Sequence, residues 1–340
     1  MVETFILQWH ITEACNLKCK HCYQEQHVPM QLSYSALQHI LFEYKTLLKK
    51  LGKKGHINIT GGEPLCNPHF FKLLEEFKKD KDLYSFSILT NGTLINEKIA
   101  KKIKEYDPLY VQVSLEGGKK VNDFIRGKNS YKRIIHGMKC LVDENIFTSI
   151  SFTATHLNYK EFPKVVKLAK KYHVQNVWSD RYIPLSKKEE NLVLSGKETI
   201  EYFKILAKER RKLNASCSST HVSMNRALQF LVTNDFAYHC TAGDTLLTVM
   251  ENGDLVPCRR MPIVIGNVLK ESMYDLYKNS ALCKDLRKSK VPEECKGCEA
   301  SELCRGGLKC LTYALTGSYK KKDPACPVLD DVDCIKEKVF

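Results

Sequence analysis

The stretch Glu13–Tyr23, EACNLKCKHCY, brings three cysteines into one short segment: Cys15, Cys19 and Cys22. It follows the apolar run Phe5–Ile11, which has the composition of a buried strand. Three thiolates on so short a loop can bind three corners of a cubane iron–sulfur cluster and leave one iron without a protein ligand. A structural zinc site takes four protein ligands; His21 or His27 could supply one, but no nearby pair repeats the usual two-plus-two spacing. The spacing therefore favours an iron–sulfur cluster over zinc or free thiols.

The 340-residue chain is 43% hydrophobic, enough for a buried core, and at about 150 residues per domain its length predicts one large and one smaller domain. No stretch approaches the roughly 18 consecutive apolar residues that a membrane span needs, and the N-terminus lacks a signal-peptide pattern. We therefore expect a cytoplasmic protein without a membrane partner. In a reducing compartment its 15 cysteines are expected to bind metal or do redox chemistry rather than form disulfides.

The chain is basic, with 53 Lys and Arg against 39 Asp and Glu and a formal net charge of +14. Such a charge suits nucleic acid, a membrane surface or an acidic substrate. Many lysines, however, are scattered along predicted helix faces, as at Lys167, Lys170 and Lys171, which is typical of solvated surfaces. RNA-binding aromatic signatures and helix-turn-helix patterns are not evident. We therefore expect no nucleic-acid partner.

Short β-branched runs alternate with segments of helical period from the start of the chain to about residue 185. This alternation predicts an α/β fold in which β/α units build a parallel sheet. A helix is expected after a cap at Ser33, where Leu37, Ile40 and further apolar residues recur at three- and four-residue steps. Six units are too few for a closed eight-stranded barrel and suit an open, partial one. The predicted strands are Phe5–Ile11, His56–Thr60, Ser85–Thr90, Tyr110–Leu115, Thr148–Ala154 and Asn176–Ile183.

The pattern changes after the sixth predicted strand. We divide the chain into a core of residues 1–197, a helical connector of residues 198–235 and a Cys-rich domain of residues 236–340. The polar stretch Ser186–Lys197 leads into helical patterns at Thr199–Lys212 and Val222–Val232. Paired short strands at Leu246–Met250 and Leu255–Pro257 then precede cysteine-rich loops. Because such loops bury little apolar area, we expect them to need metal to hold their shape.

The spacing Cys-x3-Cys-x2-Cys after the first strand resembles the radical S-adenosylmethionine (radical SAM) enzymes. The resemblance implies a partial (β/α)6 barrel and a 4Fe–4S cluster, held by these three cysteines, whose open iron chelates the amino and carboxylate groups of S-adenosylmethionine (SAM). Other residues resemble the family's cofactor-binding motifs in the expected order. They are Gly61, Gly62, Glu63 and Pro64 at the SAM amino group, Asn91 and Ser114 at its ribose and methionine ends, and Arg126 at its methionine carboxylate.

Two of these motifs depart from the commoner family form. Glu116 stands where Asp is usual, and Asn122-Asp123 stands where His-Asp is usual before Arg126. In the motif after the second strand, the glycines allow the backbone to approach a ligand closely. We expect the Glu63 carboxylate to pair with the SAM ammonium group.

The C-terminal cysteines resemble the SPASM extension of this family, which holds auxiliary 4Fe–4S clusters. Two further motifs support the resemblance: Pro257-Cys258-Arg259-Arg260 and Asp323-Pro324-Ala325-Cys326-Pro327. The resemblance implies two auxiliary clusters. The outer one would be held by Cys295, Cys298, Cys304 and Cys326, and the inner one by Cys240, Cys258 and Cys310.

The inner cluster is short of ligands. The family cysteine four residues after Cys304 is Leu308 here, and Leu246 stands where some relatives carry a further inner ligand. Cys283 and Cys334 could complete the set, or an iron could stay open to substrate. A zinc ribbon is the alternative for the Cys295-x2-Cys298 pair, because paired thiols at this spacing suit zinc equally well.

Three cysteines lie outside these sets: Cys66, Cys140 and Cys217. A free cysteine is by default a small buried hydrophobe. Cys66 follows the Gly61-Gly62-Glu63-Pro64 motif directly. It is our candidate catalytic residue, as a hydrogen-atom donor or a substrate contact.

The two resemblances together cover nearly the whole chain and imply a radical enzyme. In this family the reduced cluster cleaves SAM to methionine and a 5'-deoxyadenosyl radical, which takes hydrogen from a substrate. Relatives with the SPASM extension most often modify peptides, so we predict a maturase that oxidises or cross-links a peptide or protein. One alternative is a small-molecule oxidase or decarboxylase, for instance on a tetrapyrrole. Another is a non-enzymatic iron–sulfur or zinc protein that binds nucleic acid.

The resemblance also implies partners. One is an electron donor such as flavodoxin or ferredoxin, which would reduce the cluster. Because Cys15 lies so close to the N-terminus, we expect no peptide-recognition domain before the barrel. A separate leader-recognition protein, or the basic surface, would then recruit the peptide.

Overall fold

The computed structural model describes residues 4–24, 30–185, 187–216, 218–233, 235–288 and 290–326, and the statements below concern these residues. The chain forms two compact units. The first contains the described residues of Met1–Leu115, Asn122–Ile150 and Thr241–Lys288. The second contains those of Glu116–Val121, Ser151–Cys240 and Ser289–Phe340. The domain boundaries inferred from the sequence pattern stay a prediction.

Strands and helices alternate along most of the chain, as expected for an α/β fold. The strands are β1 (Phe5–His10), β2 (Gly55–Thr60), β3 (Tyr84–Thr90), β4 (Val111–Ser114), β5 (Thr148–Ala154), β6 (Asn176–Arg181), β7 (His221–Ser223), β8 (Leu246–Val249), β9 (Asp254–Val256) and β10 (Gly266–Asn267). The helices are α1 (Tyr34–Leu51), α2 (Phe70–Lys79), α3 (Glu97–Lys104), α4 (Lys119–Arg126), α5 (Ser130–Asp143), α6 (Phe162–Lys171), α7 (Gly196–Ala215), α8 (Met273–Asn279), α9 (Ala281–Lys288), α10 (Ser301–Cys304) and α11 (Lys309–Thr316). Short 3-10 helices lie at Pro64–Cys66, Tyr159–Glu161, Lys187–Leu192, Gln229–Val232 and Glu293–Cys295.

The first unit is built on a mostly parallel sheet in the order β10-β9-β8-β1-β2-β3-β4. Strand β1 lies between β2 and β8 and is parallel to both, with Phe5 opposite Gly55 and Ile6 opposite Leu246. Strands β3 and β4 continue the parallel order, and β9 and β10 are antiparallel additions at the other edge. Because parallel strands end at the same edge of a sheet, the segments that follow β1 to β4 meet there.

The core of the first unit forms around β1, where Phe5, Leu7 and Trp9 are fully buried. The Phe5 ring meets the edge of Tyr277 on α8, with ring centroids 5.3 Å apart. Trp9 packs against Phe77 on α2 at 6.1 Å. Phe5, Leu7 and Trp9 alternate with the partly buried Ile6 and Gln8, so one face of the strand packs fully in the core.

Helix α1 shows how local sequence sets the elements around the sheet. Ser33 caps its N-terminus by accepting a hydrogen bond from the Ala36 amide, and Gly52 ends it in a left-handed conformation. The buried Tyr44 hydroxyl donates to the Phe5 carbonyl at 2.6 Å, so the helix is attached to β1 as well as packed on it. The predicted cap and apolar face are confirmed.

The second unit has its own aromatic core. Strands β6 and β7 are parallel, with Asn176 opposite His221. Behind them, the Phe162 ring lies 5.5 Å from Phe152 and 6.0 Å from Tyr202, the latter on α7. Helix α7 begins with a capping box in which the Ser195 and Glu198 side chains each accept from the other's backbone amide.

All six predicted strands are confirmed close to their expected bounds, as is the β8–β9 hairpin. The hairpin joins the sheet beside β1, a pairing that the local pattern did not predict. The predicted helix at Val222–Val232 is wrong: its start forms β7 beside β6, and only Gln229–Val232 turns as a 3-10 helix after Leu228 at φ 68°. Within the predicted connector Ser186–Lys197, Lys187–Leu192 is a 3-10 helix and α7 starts at Gly196. Among the described helices none is both long and apolar enough to cross a bilayer.

Candidate cofactor site

The cysteine loop, residues 12–24, carries Cys15, Cys19 and Cys22 beyond the end of β1 without regular secondary structure. Two backbone bonds hold its shape: the Cys22 amide donates to the Cys19 carbonyl at 3.1 Å, and the Lys20 amide donates to the Ile125 carbonyl at 2.8 Å. Leu17 lies between Cys15 and Cys19 in the sequence. Its side chain is buried and anchors the loop. The three thiols, each partly exposed, therefore sit on a loop fixed to the rest of the unit.

The surroundings of these thiols suit metal-bound thiolates. Burial raises the pKa of Cys15 to about 12, and the nearby Glu63, Cys19 and Cys22 add to the rise. A metal bound here would displace the Cys15 proton and compensate the repulsion among three thiolates. Two donors face the sulfurs: the Asn91 side-chain nitrogen Nδ2 lies 3.8 Å from the Cys15 Sγ, and an Arg126 guanidinium nitrogen lies 3.9 Å from the Cys19 Sγ. Hydrogen bonds to cysteine sulfur are a usual feature of iron–sulfur sites, so these residues fit the cluster that the sequence implied.

The Gly61-Gly62-Glu63-Pro64 motif follows β2 and holds the start of the cysteine loop. The Gly62 amide donates to the Thr12 carbonyl at 2.8 Å, and the Glu63 amide donates to the Ala14 carbonyl at 2.9 Å. A Cβ atom on Gly62 would lie 2.4 Å from the Ala14 carbonyl oxygen. Only glycine fits at this position, because the Ala14 carbonyl oxygen is a backbone atom and cannot move away by a side-chain rotation.

We expect Gly62→Ala to displace the cysteine loop. The overlap should cost about 1–3 kcal/mol of folding free energy and reduce the iron bound at the first site. Anaerobic denaturation and iron analysis of the reconstituted protein measure the two effects. The control is Gly196→Ala at the start of α7, where a Cβ would come no closer than 3.9 Å to the nearest heavy atom. Equal stability and iron content in the two variants would contradict the role given to Gly62.

Glu63 is fully buried and joins two motifs. Its carboxylate accepts from the Thr90 hydroxyl at 2.7 Å and from the Asn91 amide at 2.7 Å, and also from the Leu65 amide at 3.3 Å. Burial raises the pKa of Glu63 to about 7 despite these donors. In the structure this carboxylate thus positions the turn that carries Asn91. Its expected pairing with the SAM ammonium group stays a prediction.

We expect Glu63→Gln to weaken SAM binding. A glutamine side chain has one acceptor oxygen, so one of the buried donors around it loses its partner, at a cost of about 1–3 kcal/mol. The KM for SAM should rise about 10-fold or more in an assay of 5'-deoxyadenosine release. Glu75→Gln on the exposed face of α2 is the matched control. An unchanged KM in Glu63→Gln would show that the carboxylate does not position the turn.

Asn91 links this turn to the cysteine loop. Its side-chain nitrogen donates to the Asn16 Oδ1 at 2.9 Å, and its side-chain oxygen accepts from the Thr93 hydroxyl at 2.6 Å. The Asn16 side-chain nitrogen in turn donates to the Thr93 hydroxyl at 2.8 Å. These three residues form a polar network beside Cys15, which explains why an amide is needed at position 91.

The remaining candidates lie near this network or at strand ends. Cys66 ends a 3-10 turn, where its pKa is raised by burial and by Glu63, while a backbone hydrogen bond from Asn16 opposes the rise. Arg126, the last residue of α4, is buried. Ser114 ends β4 and is partly exposed. The structure thus brings Glu63, Asn91 and Arg126 to the cysteine loop, and the ligand contacts assigned to them remain predictions.

The contacts of the loop residue Tyr23 with Arg259 and His10 were not predicted from the sequence. The Arg259 guanidinium lies 4.6 Å from the Tyr23 ring centroid, and one of its nitrogens donates to the Tyr23 carbonyl at 2.6 Å. The Tyr23 ring also meets His10, whose complete burial lowers its pKa well below the usual value. In the sequence, Arg259 was noted only as part of the Pro257-Cys258-Arg259-Arg260 motif, which does not predict a contact with Tyr23.

The second thiol site lies in the second unit. Cys295, Cys298, Cys304 and Cys326 line one cavity, which apolar residues such as Leu228 and Leu231 also border. Burial raises the pKa of Cys295 to about 11, and the neighbouring Cys326 and Cys298 thiols add to the rise. Burial and Cys326 likewise raise the pKa of Cys304 to about 12. Four thiols around one cavity fit the outer auxiliary cluster that the resemblance implied.

A buried ion pair supports this second site. Both guanidinium nitrogens Nη1 and Nη2 of Arg181 donate to Asp323, at 3.0 and 2.6 Å, and the side chains are 2% and 0% exposed. The Asp323 carboxylate also accepts from the amides of Leu308 and Ala325. The Asp323 carbonyl accepts from the Cys326 amide at 2.9 Å. Arg181 on β6 therefore anchors the segment that carries Cys326.

The inner-cluster assignment stays a prediction. Cys240 and Cys310 belong to the second unit and Cys258 to the first. Cys283, offered as a further ligand, is fully buried on α9, and its Sγ would lie 3.5 Å from a Cβ on Gly243. Cys217 and Cys334 lie outside the described residues.

Comparison with known proteins identifies the family. A model described as the radical SAM superfamily matches residues 9–169, and a model of the SPASM iron–sulfur cluster-binding domain matches residues 240–299. The chain is 30% identical to Fe-coproporphyrin III synthase of Methanosarcina barkeri, over 94% of this chain and 87% of that protein. The chain belongs to the radical SAM superfamily. It is an enzyme of this family with a SPASM domain, and its cofactors are 4Fe–4S clusters and SAM. The alternative of a non-enzymatic nucleic-acid-binding protein is therefore set aside.

Other radical SAM proteins are similar over most of their length. The AdoMet-dependent heme synthase of Methanosarcina barkeri is 26% identical over 94% of this chain and 95% of that protein. Mycofactocin maturase MftC of Mycobacterium ulcerans is 28% identical over 94% of this chain and 87% of that protein. The solved structure of anSMEcpe with bound AdoMet has a TM-score of 0.79 at 20% identity, covering 96% of this chain and 92% of that one, which shows a shared fold. The predicted family and fold class are confirmed.

Proposed function

We propose that this radical SAM enzyme removes a hydrogen atom from a carbon of a peptide or protein and completes a net oxidation or cross-link. The observation that carries the proposal is the four-thiol cavity of the second unit, present in addition to the three-thiol loop of the first. When bound, the clusters supply one electron to cleave SAM and a one-electron acceptor for the oxidised substrate. Hydrogen removal followed by electron removal is a net two-electron oxidation.

This chain's own residues would direct that chemistry. The cysteine loop would hold the first cluster, and the side chains of Asn91 and Arg126 donate toward the cysteine sulfurs. Glu63 fixes the turn that carries Asn91. The Tyr23 ring, next to Cys22 in the loop, contacts the buried His10 and the Arg259 guanidinium. Aromatic surface of this kind would help to exclude water, which a reaction through a carbon radical requires.

A peptide substrate is supported by the similarity to MftC, a maturase by name, over 94% of this chain. The net charge of +14 suits recruitment of an acidic peptide. A one-electron donor such as flavodoxin or ferredoxin would reduce the first site, and a separate leader-recognition protein would present the peptide.

A tetrapyrrole is the second candidate substrate. It is favoured by the 30% identity to a protein named Fe-coproporphyrin III synthase and by the similarity to a heme synthase over 95% of that protein's length. A porphyrin with several carboxylates would also benefit from a basic surface.

One assay separates the two candidates. Anaerobically reconstituted protein is incubated with SAM and dithionite, and with either iron-coproporphyrin III or synthetic peptides encoded by short reading frames beside the gene. The readouts are 5'-deoxyadenosine release and the mass of each substrate. A peptide that loses two hydrogens or gains a cross-link supports the maturase. Loss of carboxylate carbon from iron-coproporphyrin III establishes the second candidate as a heme-synthase type of reaction. Release of 5'-deoxyadenosine without any change in either compound contradicts that reaction and the maturase acting on these peptides.

A further inference from the structure

A group of side chains of metal-ligating types, none of them among the cysteines assigned to clusters, lies on the helices that follow β3 and β4. Glu97 is the first residue of α3, and His136 and Cys140 lie one turn apart on α5. Residues four apart on a helix project from the same face. A carboxylate, an imidazole and a thiol thus meet where α3 begins beside α5.

The distances match those between ligands of one small cation. The His136 Nε2 lies 3.7 Å from the Glu97 Oε1 and 3.8 Å from the Cys140 Sγ. All three ligand atoms lie within 4.8 Å of one another. In a tetrahedral site with Zn–N and Zn–O near 2.0 Å and Zn–S near 2.3 Å, ligand atoms are about 3.3–3.5 Å apart. The two distances from His136 are therefore within about 0.5 Å of those in a bound site, and the exposed Glu97 side chain can rotate to close the remaining gap to Cys140.

The donor set selects the kind of cation. A thiolate and an imidazole are poor ligands for calcium or magnesium, which prefer oxygen, and good ligands for zinc. Three protein ligands leave the fourth position of a tetrahedral site to water.

The exposure of two of the three side chains allows a cation to bind from solvent. The Glu97 and His136 side chains are 71% and 54% exposed, so a hydrated cation can reach them. Cys140 is buried at 5% exposure, which holds its sulfur in place beneath the two exposed ligands. A preformed thiol below an open carboxylate–imidazole pair limits the side-chain entropy lost on binding.

We infer that Glu97, His136 and Cys140 form a binding site for one zinc-type divalent cation, separate from the iron–sulfur sites. The cation would clamp the start of α3 to α5. Helix α5 also supports the turn after β3, because a Cβ on Gly137 would lie 2.2 Å from the Gly92 carbonyl oxygen. Metal binding would therefore stiffen the helix against which the Asn91 turn rests.

The test uses full-length protein with its iron–sulfur clusters already assembled. One equivalent of Zn²⁺ is added anaerobically, the protein is desalted, and retained zinc is measured by mass spectrometry. We expect one zinc per chain, with more than about 100-fold weaker binding in His136→Ala and Cys140→Ala, because losing even a group that merely hydrogen-bonds a ligand costs about 10–100-fold. The matched control is His39→Ala, which removes an exposed histidine from α1 and should leave zinc binding unchanged. Because His136 is largely exposed, its variant should fold normally, and a thermal melt checks this.

X-ray absorption at the zinc edge provides an independent readout. We expect one sulfur near 2.3 Å and nitrogen or oxygen ligands near 2.0 Å. A sulfur-only shell would place the zinc at cysteines meant for iron and would overturn the inference. It would also be overturned if wild-type protein retained no zinc, or if folded His136→Ala retained as much as wild type.

Discussion

Replacing Cys15, Cys19 and Cys22 together by Ala should abolish SAM cleavage, lowering 5'-deoxyadenosine release by more than about 1,000-fold. The three thiols share one loop, so the variant removes all three predicted cysteine ligands of the first site. The Asn91 and Arg126 side chains, which face Cys15 and Cys19, would remain. The iron bound by the C-terminal cysteines should remain, because Cys295, Cys298, Cys304 and Cys326 line their own cavity in the other unit. Chromatography of 5'-deoxyadenosine and chemical iron analysis measure the two quantities.

The reciprocal variant replaces Cys295, Cys298 and Cys304 by Ala. It should lose the outer-cluster iron and the oxidised product while still releasing 5'-deoxyadenosine. SAM cleavage that survives in the first variant and disappears in the second would reverse the assignment of the two sites.

The second large effect concerns the buried ion pair. Arg181→Met should lower the free energy of unfolding by about 3–5 kcal/mol, because it leaves the Asp323 carboxylate buried without its cation. Asp323 also holds the amides of Leu308 and Ala325, and its own carbonyl accepts from the Cys326 amide. Iron content should therefore fall toward that of protein lacking the outer cluster. Anaerobic denaturation and iron analysis check both results.

The matched control is Arg210→Met, which breaks an ion pair of the same type in the same unit. The Arg210 and Asp235 groups are 2.6 Å apart but 28% and 39% exposed, so their loss should cost no more than about 1 kcal/mol. Arg181→Lys should fall between the two, since lysine keeps the charge but not the two-point geometry. Equal stability and equal iron in Arg181→Met and Arg210→Met would show that the buried pair does not anchor the Cys326 segment.

Sequence reasoning predicted the elements well where local signals agreed with the fold. The Ser33 cap and the strand before the cysteine loop are examples, because capping and apolar runs are properties of neighbouring residues. It failed at Val222–Val232, where pairing of β7 with β6 overrode a helical pattern. It also gave no hint that the Leu246 strand would pair with β1, since strand partners depend on topology rather than on local composition.

What the sequence by itself determined was the family resemblance and the candidate metal ligands: three thiols within eight residues, and Cys-rich loops whose small apolar area predicts that they need metal to order. Only the tertiary structure decided which residues that are distant in sequence contact these loops. Arg259 contacts Tyr23, 236 positions away, and Arg181 contacts Asp323, 142 positions away. Glu63 contacts the Asn91 turn from the segment that follows the neighbouring strand. The physical reason is that ligand spacing on one loop is set by covalent geometry. Contacts between elements exist only after the sheet has aligned its strand ends at one edge.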